Sequence, residues 1–307
     1  MNINLNEDIV NYILKNIRLY TNSNNKKPSK INYVIPKKNR IIAIGDIHSD
    51  FVALYKCLLK AKVINKYGEW IGKNTYIVQT GDILDGGGRG IEINDFIGEE
   101  FFIIEYLNYL DKEARKTSGR VIRILGNHEI ANIFYPNPNY LTETSIDLFQ
   151  SYENRVISLK PGNYGANRLI NNTAVLLRIG DWIFVHGGLL PHHIKNNSIE
   201  DINNKFYKLF ENKSSSYDSD KLFFNDNSIF YTRVYSDDKN NMKAKDSMKY
   251  IKRYLDIKGM IVGHTVQHRI NNKNDVWRID IGLSKSFGMK NKCQVLEILN
   301  NENVNIL

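Results

Sequence analysis

The sequence predicts an α/β fold from three features: short runs of β-branched residues, helical periodicity between the first of them, and polar motifs directly after each run. The runs stand at 40–44 (RIIAI), 75–79 (TYIVQ), 121–125 (VIRIL), 182–185 (WIFV) and 260–262 (MIV). Runs of this length and composition are typical of strands buried on both faces of a sheet. We therefore expect them to form the core of a layered α/β domain.

Helical patterns separate the first three of these strands. They occupy 50–62, behind a Ser-Asp cap signal, and 99–116, which ends shortly before a glycine. The first twenty residues also carry apolar residues at helical spacing, and the polar segment after them is typical of a tether. We therefore predict an N-terminal helical extension and tether at 1–38, followed by one large domain at 39–307.

Composition narrows the possible environments of the chain. The 307 residues are 42% hydrophobic and 24% charged, which is ordinary for a globular protein. The formal charge of +9 comes from scattered lysines rather than one basic stripe, so nucleic acid is an unlikely partner. Two cysteines exclude a disulfide framework and favour a reducing, cytoplasmic location. Neither a signal peptide nor a membrane-spanning apolar stretch is evident, so we expect no membrane partner.

A glycine-containing polar motif follows each predicted strand. The motifs are GDIHSD at 45–50, GDILDGGGRG at 81–90, GNHE at 126–129, HGG at 186–188 and GHT at 263–265. Loops at the carboxyl ends of strands in an α/β sheet are where such folds bind ligands, and glycine lets the backbone turn sharply there. We therefore expect the five motifs to line one crevice.

The side chains in these motifs are oxygen and imidazole donors. They are Asp46, His48, Asp82, Asp85, Asn127, His128, His186 and His264. Such a set, without a thiolate, suits manganese, iron or zinc better than calcium, and it is large enough for two ions. The remaining histidines, His192, His193 and His268, fall outside the motifs, and we expect them in loops or facing solvent.

The order of these motifs resembles the phosphoprotein phosphatase family of calcineurin-like metallophosphoesterases, whose blocks are G-D-x-H-G, G-D-x-x-D-R-G and G-N-H-E. The HGG and GHT forms, with SIFYTRVYS at 228–236 and RIDIGLSKSFG at 278–288, are most similar to its Shewanella-like (bacterial-like) branch. The resemblance covers about residues 40–298. It implies a central β-sandwich flanked by helices in four layers, and a catalytic domain at 39–307.

The resemblance also implies the metal ligands and the reaction. Asp46, His48 and Asp82 would hold one metal. Asp82, Asn127, His186 and His264 would hold a second, with Asp82 as the bridge. Of the candidate metals, manganese is favoured, with iron or zinc as alternatives. The expected activity is hydrolysis of phosphoserine, phosphothreonine or phosphotyrosine in proteins by direct attack of water.

The remaining site residues follow from the same resemblance. His128 is the expected general acid, oriented by Asp85, and Asn127 and Arg233 are expected to bind phosphate. The family's Asp-Arg-Gly is altered here, because three glycines separate Asp85 from Arg89. Either this loop folds back or the arginine is lost, and we assign phosphate binding to Arg89.

Two other functions remain open from the sequence, besides a nucleic-acid binder or nuclease, which rests on the net charge and would require the lysines to form one continuous face beside the metals. The related dinucleoside polyphosphate hydrolases share much of the motif set, so a dinucleotide is an alternative substrate. A catalytically silent phosphate-binding scaffold is the second alternative, motivated by the altered glycine loop.

Overall fold

The structure, a computed structural model, describes residues 7–23, 31–89, 100–212, 221–238, 241–288 and 293–307. Its helices are α1 (Glu7–Ser23), α2 (Phe51–Lys60), α3 (Glu100–Arg115), α4 (Asn127–Phe134), α5 (Glu143–Asp147), α6 (Tyr152–Leu159), α7 (Tyr164–Ile170), α8 (Pro191–Ile194), α9 (Ile199–Asn212) and α10 (Asn241–Leu255). Its strands are β1 (Val34–Ile35), β2 (Arg40–Ile44), β3 (Tyr76–Gln79), β4 (Arg120–Ile124), β5 (Thr173–Ala174), β6 (Leu176–Ile179), β7 (Trp182–Val185), β8 (Gly259–Val262), β9 (Asn271–Lys273), β10 (Val276–Arg278), β11 (Leu296–Leu299) and β12 (Asn303–Ile306). Short 3-10 turns lie at Pro138–Tyr140 and Lys285–Phe287.

The strands form two mixed sheets flanked by helices, which confirms the predicted fold class. One sheet has the order β1-β6-β7-β8-β10-β9 and the other has the order β12-β11-β2-β3-β4-β5. Strands β2, β3 and β4 are parallel neighbours in the second sheet, and β7 and β8 are parallel neighbours in the first. The carboxyl ends of the strands within each set therefore meet at one edge, which is where the polar motifs begin.

The predicted strands agree with the observed ones to within one residue at each end. RIIAI is β2 and WIFV is β7, while β4 and β8 each begin one residue earlier than predicted. The cap signal before α2 is also confirmed, because the side chain of Asp50 accepts a hydrogen bond from Ala53 N at 2.9 Å. Helix α3 lies within the predicted segment 99–116, although residue 99 is outside the described ranges.

The N-terminal helix packs on the domain. Ile13 of α1 is almost completely buried, α1 contacts α3, and the Tyr12 hydroxyl donates to Glu69 at 2.5 Å. Helix α1 continues through residues 21–23, into the polar segment expected to be a tether, and residues 24–30 lie outside the described ranges. The boundary at residue 38 stays a prediction, and β1 already pairs with β6 ahead of it.

Two further expectations concern the cysteines and the membrane. Cys57 and Cys293 are both free thiols, with their sulfur atoms 3.5 Å apart. Among the helices in the described ranges, none has the length and apolarity needed to cross a bilayer.

Candidate metal centre and active site

The predicted ligands come from loops that follow five strands. Asp46 and His48 follow β2, Asp82 and Asp85 follow β3, Asn127 and His128 begin α4 after β4, His186 follows β7, and His264 follows β8. The structure brings all of these side chains to one region, as the convergence of the strand ends requires.

Several of these residues adopt a left-handed backbone conformation that non-glycine residues rarely take. The φ angles are 42° at His48, 53° at Asp82, 67° at Asp85 and 69° at His264. Such conformations cost on the order of 1–3 kcal/mol each and are found where the surrounding structure fixes them, often at functional sites. The sharp turns they make aim the side chains back across the strand ends.

Asp82 lies at the centre of the site. Its carboxylate Oδ2 is 3.3 Å from His186 Nε2, 3.8 Å from His48 Nε2 and 4.0 Å from His128 Nε2. Burial would raise the pKa of Asp82, but the imidazoles of His186, His128 and His48 hold it well below its usual range. This carboxylate is therefore ionised and lies within reach of donors on several loops.

Two groups of candidate metal ligands share this carboxylate. One comprises His48, Asp82 and His128, and the other comprises Asp82, His186 and His264; within each group the ligand atoms lie within 4.8 Å of one another. Asn127 adjoins the second group, with Oδ1 2.9 Å from His186 Nε2. The sharing of Asp82 is the arrangement expected for two neighbouring ions.

Backbone carbonyls orient three of the imidazoles. His48 Nδ1 is 3.1 Å from Leu84 O, and His186 Nδ1 is 2.8 Å from Thr80 O. His264 Nε2 is 3.1 Å from Tyr231 O. When each of these nitrogens donates its proton to the carbonyl, the other ring nitrogen keeps its lone pair. Metal-binding histidines are commonly fixed in this way.

His128 pairs with Asp85 as predicted. The distance from His128 Nδ1 to Asp85 Oδ2 is 2.7 Å, and Asn132 Nδ2 donates to both oxygens of the same carboxylate at 2.9 and 2.8 Å. Burial would lower the pKa of His128, but the carboxylates of Asp82 and Asp85 outweigh it and raise the pKa above the ordinary value. The imidazole is thus held in place and kept basic enough to carry a proton.

The triple-glycine loop folds back on the segment that follows α4. Gly87 N donates to Tyr140 O at 2.8 Å. A Cβ atom would lie 2.3 Å from Leu141 O at Gly87 and 2.3 Å from Asn139 O at Gly88, so only glycine fits this approach. The altered loop is therefore accommodated by residues 139–141.

The fold of this loop returns Arg89 to the site. Arg89 Nη1 donates to the carbonyls of Asp85 at 2.6 Å and Gly87 at 2.9 Å, and Nη2 is 3.5 Å from His128 Nε2. Its guanidinium also stacks on Phe287, 4.7 Å from the ring centre. Arg89 Nη2 lies 3.1 Å from His48 Nδ1 as well, a contact that is not a hydrogen bond when that nitrogen donates to Leu84.

Arg233 approaches from the side of the second group. Its Nη1 donates to His264 O at 3.1 Å and to Thr265 Oγ1 at 2.7 Å, and the rest of the side chain is exposed. The two predicted arginines therefore stand next to different ligand groups, Arg89 by His128 and Arg233 by His264.

Comparison with known proteins identifies the family. Residues 39–268 match the calcineurin-like phosphoesterase family. The chain belongs to this family. It is 28% identical to Shewanella-like protein phosphatase 2 of Arabidopsis thaliana, an alignment that covers 88% of this chain and 78% of that protein. It is 31% identical to Shewanella-like protein phosphatase 1 of Plasmodium berghei (strain Anka), over 80% of this chain and 67% of that protein. These alignments place this phosphoesterase in the Shewanella-like branch, which confirms the resemblance seen in its motifs.

Solved structures share the fold of this phosphoesterase. A cold-active protein tyrosine phosphatase superposes with a TM-score of 0.73 at 20% identity, over 90% of this chain and 81% of that one. A protein serine/threonine phosphatase from Saccharomyces cerevisiae superposes with a TM-score of 0.54 at 14% identity, over 98% of this chain and 89% of that one. At these identities the likeness concerns the fold alone.

The donor set of this phosphoesterase fits divalent metal ions. Asp46 is buried, its Oδ2 accepts from His264 N at 2.9 Å, and its Oδ1 has no hydrogen-bond partner among the described residues. Burial and the negative charge of Asp280 raise the pKa of Asp46 well above its usual range. A buried carboxylate oxygen without a partner is costly unless a cation neutralises it, so the arrangement favours a bound metal.

Two of the imidazoles are in the form that binds metal. Burial lowers the pKa of His48 well below its usual value. Burial, with His186 and Arg233 nearby, lowers the pKa of His264 to about 3. Both rings are therefore neutral near pH 7, and neutral imidazole is the ligating species.

Sequence reasoning missed two buried acidic residues next to the metal ligands, Glu129 and Asp280. Glu129 is buried, and its carboxylate accepts from Asp82 N at 2.8 Å, Ile83 N at 2.8 Å and Gly126 N at 2.7 Å, which ties the loops after β3 and β4 together. Asp280 is also buried, and burial raises its pKa to about 6. The sequence feature that could have indicated a buried Asp280 is its place as a single acid between two isoleucines in RIDIG.

One expectation about the other histidines is wrong. His192 and His268 are exposed as predicted, but His193 is buried. Leu190 N donates to His193 Nδ1 at 3.0 Å, and His193 Nε2 donates to Asn227 O at 2.9 Å. His193 therefore joins two loops as a structural residue.

Proposed function

We propose that the chain is a protein phosphatase that hydrolyses phosphomonoesters by direct attack of water, without a phosphoenzyme. The observation that carries this proposal is the carboxylate of Asp82, which two groups of candidate ligands share. One of these groups includes His128, which we assign to proton donation rather than to a metal because its Nδ1 pairs with Asp85. Phosphorylated proteins are the substrate class because relatives that align over most of the chain are named protein phosphatases.

The metal ligands in this proposal are those predicted from the sequence. One ion would be held by Asp46, His48 and Asp82, and the other by Asp82, Asn127, His186 and His264. Manganese is the proposed metal, because the donors are a mixture of oxygen and imidazole. When bound, two such ions supply an activated water and offset charge on the phosphate oxygens.

His128 would donate a proton to the leaving oxygen. A serine or threonine alkoxide is a poor leaving group, so this proton matters most for those substrates. Asp85 accepts from Nδ1 at 2.7 Å and thereby fixes which ring nitrogen faces the site. Nε2, the nitrogen that remains, lies on the side of Asp82 and Arg89.

Arg89, Arg233 and Asn127 would bind the phosphate. A guanidinium offers parallel N–H donors that match two phosphate oxygens. The hydrogen bonds of Arg89 Nη1 to two loop carbonyls fix the side chain and leave Nη2 towards His128. With Arg89 in this position, the altered glycine loop no longer argues for a catalytically silent scaffold.

The first experiment measures turnover by metal-stripped protein with and without added Mn²⁺. The substrates are p-nitrophenyl phosphate, a phosphoserine peptide, a phosphotyrosine peptide and diadenosine tetraphosphate. We expect Mn²⁺-dependent hydrolysis of the aryl phosphate and of at least one phosphopeptide. Faster turnover of diadenosine tetraphosphate than of either peptide would favour a dinucleotide hydrolase, and no turnover of any substrate would contradict the proposal.

A cytoplasmic location is proposed, as was expected from the sequence. Cys57 and Cys293 are free thiols, which supports a reducing compartment such as the cytoplasm.

A further inference from the structure

We propose that Arg155 is a positioning residue for proton donation by His128. It acts through Asn132 and Glu100, which together hold Asp85, the partner of the imidazole. We call Glu100, Asn132 and Arg155 the Asp85 cluster. The inference rests on the proposed function, because it assigns a task within the same reaction.

Arg155 sets the orientation of the Asn132 amide. The arginine lies on α6, has no exposed surface, and donates through Nη1 to Asn132 Oδ1. With its oxygen fixed on the guanidinium, Asn132 must direct Nδ2 towards the Asp85 carboxylate, at 2.9 and 2.8 Å. A flipped amide would place its oxygen against that carboxylate, so Arg155 excludes the wrong orientation.

Arg155 also fixes the backbone of Asp85, through Glu100. Arg155 Nη2 donates to Glu100 Oε2 at 2.6 Å, and Asp85 N donates to Glu100 Oε1 at 2.8 Å. Asp85 has a φ of 67°, a conformation that its neighbours must maintain. Both the main chain and the carboxylate of Asp85 are therefore tied to one guanidinium.

The charge of Arg155 serves the same end. Asp85 and Glu100 are two buried carboxylates, and Arg155 Nη2 is 3.9 Å from Asp85 Oδ1. Without the cation these like charges would repel one another in a region from which water is excluded. Repulsion would move Asp85 away from its position on His128 Nδ1.

Stability alone does not account for a buried arginine at this position. Arg155 Nε is buried and has no acceptor among the described residues. An apolar residue of similar volume often stabilises a core as well as a buried ion pair does, and it leaves no donor unsatisfied. The arrangement is explained by what the arginine does for Asp85.

The kinetic test compares Arg155→Met and Arg155→Lys with a matched control, Arg168→Met. Arg168 is a buried arginine on α7 that pairs with Glu105, which lies on α3 as Glu100 does. The hydrogen bonds shown for the Arg168–Glu105 pair do not involve Asp85. Arg155→Met should lower kcat for a phosphoserine peptide roughly tenfold or more, a share of the ~10²–10⁴-fold effect of general acid catalysis. It should change kcat for p-nitrophenyl phosphate much less and leave KM for both substrates nearly unchanged, because the aryl leaving group needs less protonation.

The variants separate positioning from folding. Arg155→Lys keeps the positive charge but loses the two guanidinium nitrogens that donate to Asn132 and Glu100. Its effect should therefore fall between wild type and Arg155→Met. Arg168→Met should lower stability without changing the ratio of the two kcat values. In a His128→Asn background, Arg155→Met should cause no further loss on the peptide, because it acts through the missing imidazole.

A spectroscopic readout keeps the test independent of turnover. In wild-type protein loaded with Zn²⁺, which is diamagnetic and does not broaden nearby proton signals as Mn²⁺ would, the proton on His128 Nδ1 should give a downfield ¹H signal, assigned by its loss in His128→Asn. We expect it to persist in Arg168→Met and to be lost or shifted in Arg155→Met and, less strongly, in Arg155→Lys. Equal kinetic loss on both substrates, additive loss with His128→Asn, or an unchanged signal would overturn the inference. Absence of wild-type turnover would contradict the proposed function instead, and the signal would still decide the role of Arg155.

Discussion

The fold of the triple-glycine loop leads to a specific prediction for Gly87→Ala. The new methyl carbon would lie 2.3 Å from Leu141 O, and an ordinary carbon–oxygen contact is about 3.3 Å, so the loop must move by about 1 Å. The obstacle is backbone and cannot rotate away. Since Arg89 is held by the carbonyls of Asp85 and Gly87, the same shift moves its guanidinium.

The expected loss follows from the interaction that Arg89 would make with phosphate. A hydrogen bond to a charged group contributes about 1.5–3 kcal/mol, which corresponds to roughly 10- to 150-fold in kcat/KM. A positioning group displaced by about 1 Å can cost roughly 100-fold, which agrees with that range. Gly87→Ala should therefore approach the defect of Arg89→Ala, with most of the change in KM for p-nitrophenyl phosphate.

The matched control is Gly119→Ala. A Cβ at Gly119 would lie 2.5 Å from Lys73 O, a comparable conflict with backbone, in the turn between α3 and β4. None of the hydrogen bonds shown for Arg89 involves this turn. Both variants should lose about 1–3 kcal/mol of stability through overpacking, measured by thermal unfolding. Only Gly87→Ala should change kinetics. Equal kinetics in the two glycine variants, or wild-type kinetics in Arg89→Ala, would refute the assignment of Arg89.

Two further predictions concern stability. Burial lowers the pKa of His193 to about 4, below the ~6.5 of an unfolded histidine, so the unfolded chain binds the proton first as pH falls. The free energy of unfolding should fall by about 3 kcal/mol as the pH is lowered from ~6.5 to ~4. In denaturant titrations His193→Gln should weaken this dependence of the unfolding free energy on pH, and an unchanged dependence would contradict the prediction. Ile13→Ala should lower the free energy of unfolding by about 2–4 kcal/mol, because this side chain of α1 is buried. Tyr12→Phe, which removes one hydrogen bond, should lower it by less in the same denaturant titrations. Equal, small effects would mean that α1 does not stay docked.

The sequence was sufficient for the central strands because their environment leaves a clear pattern. β2, β7 and β8 are buried almost throughout, so they appear as continuous apolar runs. Two-residue strands such as β1 and β5 are too short to give a period, and α4–α7 were not predicted as separate helices. Glycine beside each polar residue marked the loops that bring the ligands together.

The parts of the site that sequence reasoning missed depend on distant partners. Arg155 is 55 residues from Glu100 and 23 from Asn132, and an arginine in a polar helix ordinarily indicates a solvated face. His193 was misplaced for the same reason, because its partner Asn227 is 34 residues away. The approach of Arg89 also required the segment 139–141 to lie opposite the glycines, which no local pattern indicates.

The most direct test of the central claim counts the metal ions bound by wild type and by Asp82→Asn. Each protein is stripped, equilibrated with Mn²⁺, and analysed for metal content alongside turnover of p-nitrophenyl phosphate. Because Asp82 belongs to both ligand groups, wild type should bind two ions, and Asp82→Asn should bind fewer and lose activity. A wild type that binds no Mn²⁺, or an Asp82→Asn protein that retains both ions and full turnover, would contradict the shared-carboxylate centre.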